Sequence, residues 1–177
     1  MPFTPFHIGL AVILKPVAKS YFSVFAFGIA QIAMDIQPLL GLLYGWPVLH
    51  GWTHTYLGAL LIALCAFAAS YLLYPALIKL YNAYWIWRGL ARFAEPARAE
   101  SAALLLGSMV GTLSHVVLDS MMHGDMQPLA PFSARNPWLG LIDHDQIYNL
   151  CSLAGLLGLF YWWLKKVRQG KDESRIC

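Results

Sequence analysis

Charge is what this chain has least of. Asp, Glu, Lys and Arg make up 12% of its 177 residues, about half the share of an ordinary soluble domain. Hydrophobic residues make up 59% and mean hydropathy is +0.56. The balance points away from a soluble domain and toward an integral membrane protein. Cysteine is scarce too. Of the three, Cys65 and Cys151 lie inside apolar segments and Cys177 is terminal. That excludes a disulfide framework and a CxxC thiolate metal site, and leaves packing thiols. Net charge is only +3, and the basic residues flank apolar segments instead of forming a stripe with interleaved aromatics. No nucleic-acid footprint is present. The first residues, MPFTPFHIGLAVILKP, have no basic stretch before the apolar run and no small-residue cleavage site after it, so no cleavable signal peptide is expected.

What the chain does have is length of apolar sequence. Four stretches approach or exceed the roughly 20 residues that span a bilayer. They run from Tyr21 to Tyr44 (interrupted by Asp35 and Pro38), Tyr56 to Ile78, Ser101 to Met122, and Ile147 to Leu164. Residues 7–14, HIGLAVIL, are too short to span and read as a half-helix ended by Lys15-Pro16. The aromatic and basic residues 78–99 read as an interfacial helix or loop, and residues 165–177 as a basic tail. The positive-inside rule places both of these, and both termini, in the cytoplasm. The expected architecture is all-α: one multi-pass membrane helical bundle in the cytoplasmic (inner) membrane.

That topology gathers the ionisable residues. His115, Asp119 and His123 recur every four residues in LSHVVLDSMMHGD, so they share a helix face. Further back on the same face stand Ala103, Gly107 and Gly111, the last two in the close-packing motif GSMVG. In HGWTHT, His50 and His54 are also four apart. That spacing on a helix lets two imidazoles hold one metal ion, although no Glu follows His50 to complete a zinc protease motif. Asp35 in IAMDIQP is a carboxylate in an apolar span, costly unless paired or metal-bound. His144 sits between Asp143 and Asp145, either of which could orient its ring or act as a catalytic base. His7 completes the set, but reaches it only if its half-helix is re-entrant or the site lies deep. Arg135, in the loop before the last span, is the cation nearest the expected site and could clamp a phosphate. Imidazole and carboxylate ligands without thiolate suit zinc first, with manganese or iron as alternatives. Several such ligands could hold one ion or two.

The order His7, Asp35, HGWTHT, LSHVVLDSMMHGDMQPLAP resembles the YdjM-like predicted membrane-bound metal-dependent hydrolases, over most of residues 1–131. The resemblance implies a helical membrane protein with a metal site and hydrolase activity. Two departures stand out. Gln37 occupies a position where a further ligand could stand, and His50 and His54 are four apart where the family often has five. The ligand order is also loosely similar to zinc-dependent phospholipase C and related helical nucleases, although Tyr148 stands where their last Glu would be.

The expectation is therefore a metal-dependent hydrolase of a lipid-borne ester, most simply a phosphoester, at the outer side of the membrane. Its ligands would come from His7, Asp35, His50, His54, His115, Asp119, His123 and His144. Its substrate would be a membrane lipid or other amphiphile, and a homo-oligomer stays open. The alternative is a non-enzymatic metal-binding protein, either a transporter or a metal-stabilised scaffold. A transporter should carry polar residues through to the inner side, whereas the His115 face turns to Gly and Ala there. A quinone- or haem-binding protein would have no need of Asp35 and Asp119.

Overall fold

The computed structural model describes residues 5–173, and from Gln169 on only the helix backbone. The regular structure among the described residues is all helical, with no strand. Five α-helices follow in order: α1 (Ile8–Ala18), α2 (Val24–Tyr44), α3 (Tyr56–Trp87), α4 (Ser101–Met122) and α5 (His144–Glu173). The extreme ends of the chain, Cys177 among them, lie outside the described residues.

Four of the helices are long and apolar enough to cross a membrane: α2, α3, α4, and α5 as far as Arg168. Their outward faces carry bare aliphatic groups, with Leu43, Leu72 and Leu156 exposed by 69%, 74% and 67%. A surface of that kind belongs in lipid. The protein is thus a multi-pass membrane protein.

Helix α4 is the centre of the bundle and packs against both α2 and α3. The small residues of GSMVG make this possible. A Cβ on Gly107 would lie 2.3 Å from the Ser23 carbonyl, and one on Gly111 would lie 2.8 Å from the Ala30 Cβ. Only glycine lets the backbones come so close. Ser23 also caps α2, its hydroxyl accepting from the Ala26 N–H at 3.2 Å. Thr55 caps α3 in the same way, accepting from the Gly58 N–H at 2.9 Å.

Helix α1 packs along α5. Gly9 meets Cys151 and Gly155, and Gly158 meets Val12, so the two helices run parallel. Pro5–His7 therefore stands at the same end of the bundle as the start of α5. Lys166 stands at the other end, 3.1 Å from Glu95 in the α3–α4 connection. This settles the position of His7: α1 starts at the end where the other histidines gather.

Several boundaries differ from the sequence reading: α2 starts at Val24, not Tyr21, and α5 runs from His144 to Glu173, past Ile147 and Leu164 at both ends. Pro16 does not stop α1, which continues to Ala18 with Pro16 inside it; Pro38 and Pro75 likewise sit within α2 and α3. Helix α3 also runs past Ile78 to Trp87, absorbing the first part of the segment read as interfacial. LYNAYWIW holds no breaker, and the turn away begins only at Gly89, with φ of 68°. The rest of that segment is a connection with a single short 3-10 turn, Ala91–Phe93.

Candidate metal centre

Side chains from four places converge at one end of the bundle. Helix α4 supplies His115 and Asp119 from successive turns of its buried face. Asp35 comes from α2, His7 from the turn preceding α1, and His50 and His54 from the segment leading into α3. His115 Nε2 lies 3.2 Å from Asp119 Oδ2 and 3.5 Å from Asp35 Oδ1. His7 Nε2 lies 3.7 Å from Asp119 Oδ1, and His54 Nε2 lies 3.7 Å from Asp119 Oδ2. The His7 and His115 rings are 5.1 Å apart, His54 and His115 5.2 Å, and His50 and His54 5.0 Å. His54 and His115 are fully buried and Asp119 is 4% exposed.

The hydrogen bonds on the far sides of three rings fix what each ring presents to the centre. Gln31 donates through Nε2 to the Gly111 carbonyl at 2.9 Å, which turns its Oε1 toward His115. His115 Nδ1 donates to that oxygen at 2.6 Å. Gln37 Oε1 accepts from the Thr53 backbone N–H at 3.1 Å and also from the Thr53 hydroxyl. The Thr53 oxygen is then left to accept from His54 Nδ1, 2.9 Å away. Asp125 Oδ1 accepts from His50 Nδ1 at 2.8 Å, and its Oδ2 accepts from the backbone N–H groups of Leu49 and His50. With Nδ1 spent on an outward hydrogen bond in all three rings, Nε2 is the atom each turns to the centre. The Nε2 atoms of His50, His54 and His115 are buried and meet no hydrogen-bond partner, and neither ring nitrogen of His7 does.

Burial holds the His54 imidazole down at about 3, with neighbouring His115 adding to the effect and Asp119 opposing it. His54 is therefore neutral, as a ligand must be. At Asp125 burial works against ionisation, but the hydrogen bonds from His50 outweigh it and hold the carboxyl below the usual range.

Four triads of donor atoms could each hold an ion: His7–His115–Asp119, Asp35–His54–His115, His50–His54–Asp119 and His50–His123–Asp125. They overlap. Asp119 belongs both to the His7 side and to the His50 side, and its two oxygens face different histidines. A shared carboxylate between two histidine groups is a recurring way to hold a pair of ions.

Of the residues singled out from the sequence, His7, Asp35, His50, His54, His115 and Asp119 come together here. His123 stands at the margin, half-buried as the cap of α4, its ring stacked on His50 at 4.1 Å. His144, Asp143 and Asp145 are exposed at the start of α5 and join none of the four triads. His144 contacts its neighbour Asp145 at 3.5 Å and the Tyr148 ring instead. Asp143 and Asp145 are thus N-terminal helix acids facing outward. Arg135 is exposed on the loop before α5 and is not among the residues that line the neighbouring groove.

One geometric premise is corrected. His50 and His54 are not on an α-helix. His50 lies in a bend, and His54 ends a 3-10 turn, Trp52–His54, ahead of the Thr55 cap. The turn, not an α-helical stripe, brings their rings together. Sequence reading missed Gln31, Thr53 and Asp125 as orienting residues. Gln37, read as a vacant ligand position, positions Thr53.

A family model described as a domain of unknown function, DUF4184, matches residues 1–176. The chain belongs to this family. No curated protein and no solved structure matches it. The DUF4184 assignment covers every element described above and so treats the helices and the histidine cluster as parts of one unit.

Proposed function

We propose that this protein is a metal-dependent hydrolase of a lipid-borne phosphoester, with zinc the first choice of ion and manganese or iron the alternatives. The observation that carries the reading is the orientation of three imidazoles. His50, His54 and His115 each spend Nδ1 on a hydrogen bond away from the centre. Each turns a buried Nε2 toward it, where Asp35 and Asp119 also bring oxygens. These nitrogens and carboxylate oxygens lie 3.2–3.7 Å from one another, close enough together to serve as one donor set for a cation. A divalent ion, or a pair sharing Asp119, answers that arrangement. The donors are nitrogen and oxygen only, which suits these metals.

When bound, such an ion lowers the pKa of a water and polarises a phosphoryl oxygen. The chain's own residues hold the ligands: Gln31, Thr53 and Asp125 fix the rings, and Asp119 ties the His7 side to the His50 side. The resemblance to YdjM-like hydrolases and the phospholipase-like ligand order both support hydrolysis. The basic residues near Lys166 and in the α3–α4 connection support placing that end in the cytoplasm, with the metal centre toward the outer side of the inner membrane.

A closed, metal-stabilised scaffold is the second reading, favoured by the complete burial of His54 and His115. Elemental analysis of detergent-purified protein tests the metal, with wild type beside His115→Ala and Asp119→Ala. One or two equivalents in wild type, lost in the variants, are expected. Hydrolysis of aryl and lipid phosphoesters by the loaded protein then separates enzyme from scaffold. Absence of metal after reconstitution with zinc or manganese would overturn both readings.

A further inference from the structure

Of the four donor triads, His50–His123–Asp125 is the one the proposed centre leaves unused. Its ligand atoms lie within 4.8 Å of one another, and it is graded in depth: Asp125 is exposed, His123 half-buried and His50 buried. His50 also belongs to His50–His54–Asp119, whose members are all buried. The two triads therefore form one row of ligands, from the α4–α5 connection into the bundle. Irregular backbone exposed in that connection cannot sit in hydrocarbon, so Asp125 meets water. The outer groups are held in place. The His123 N–H donates to the Asp119 carbonyl at 2.9 Å, and the ring stacks on His50 at 4.1 Å. Asp125 accepts one hydrogen bond on Oδ1 and two on Oδ2. A carboxylate has about four lone-pair positions, so Oδ1 keeps one for an ion. Asp125 also lines a groove of about 880 Å³ beside the start of α3, and no other residue lining it carries a charge. A carboxylate on an otherwise uncharged wall draws cations.

We propose that Asp125 and His123 form the entry site for the divalent cation: they take the ion from water and pass it to His50, which hands it on to His54 and Asp119. The inference rests on the metal-centre reading and adds the route and order of loading. It gives His123 a role that differs from that of a resident ligand. A resident ligand sets how tightly the ion is held. An entry ligand sets how fast the ion arrives and leaves. It does not move the equilibrium, because affinity is the ratio of the two rates.

The test measures zinc uptake and release by full-length protein in detergent, first stripped of metal by a chelator. Uptake is followed by stopped flow with a fluorescent zinc indicator at limiting zinc, and release after a stronger chelator is added in excess. Loss of a metal-site group typically weakens binding by about 10–100-fold, so His123→Ala should load zinc more slowly by at least the low end of that range. Release should slow by the same factor, while stoichiometry and equilibrium affinity stay as in wild type. His123→Phe keeps a flat ring against His50 but brings no ligand atom, and should behave as His123→Ala does. Uptake at the wild-type rate or faster in His123→Phe would show that the ring only packs, and would overturn the proposal. A lower zinc affinity or a lost equivalent in either variant would make His123 a resident ligand and overturn it too. Both of those results leave the metal centre standing. Wild type that binds no zinc would overturn the metal-centre reading and this inference with it.

Discussion

Gln31 accepts from His115 Nδ1 because its own amide nitrogen is committed to the Gly111 carbonyl. One glutamine thus anchors to α4 and decides which nitrogen of His115 faces the centre. Groups of this kind set ligand orientation and basicity, and losing one typically costs about 10–100-fold in metal affinity. Gln31→Leu should lower zinc affinity by about that factor without unfolding the protein, measured by titration against a competing chelator. Asp125→Ala should do the same at the His50 side alone, so that in a two-ion site one equivalent weakens and the other holds. Equal loss of both equivalents in Asp125→Ala would show that the ions bind as one unit. These residues were only partly legible beforehand. Gln31 is four before Asp35, on the same face of α2, so the helical spacing could have revealed it. Thr53 and Asp125 act through a turn and a loop. Their partners are fixed by backbone geometry that carries no periodic signal.

At the scale of the element, the site depends on how a short helix is held. Helix α1 has only 11 residues, too few to span, and its placement comes from α5. A Cβ on Gly9 would lie 2.0 Å from the Cys151 carbonyl. Because that neighbour is backbone, it has little room to give. Gly9→Val should therefore push α1 off α5 and carry His7 away from Asp119. Overpacking of this kind costs about 1–3 kcal/mol. The expected result is a lower detergent Tm together with weakened metal binding on the His7 side. Spans α2 to α5 were readable as long apolar runs, and α4 matched residue for residue, because nothing in Ser101–Met122 interrupts the pattern. The small-residue face of α4 was readable for the same reason. The His50–His54 spacing misled: four residues apart is an α-helical signature only inside an α-helix, and here a 3-10 turn produces the contact.

Across the whole molecule, charge is sorted by end. Lys166 and Glu95 pair at one end of the bundle, while histidines and aspartates crowd the other around a buried centre. Between them the exterior is largely apolar, aliphatic and aromatic. Asp119 and Asp35 meet the buried imidazoles at 3.2–3.7 Å, so residues of α2, α4 and the α3 leader share one polar centre. Under the proposed reading, an ion held by these groups would cross-link those elements. Metal should therefore stabilise the fold, by about 2.7 kcal/mol when free ion is 100 times the dissociation constant. Chelation of wild type should lower its detergent Tm, and added zinc should restore it. His115→Ala should show a smaller chelator-dependent shift than wild type, because two of the four triads lose a member. A wild-type Tm indifferent to chelator, in protein shown to contain metal, would mean that the helices alone hold the site and that the ion contributes nothing to its assembly.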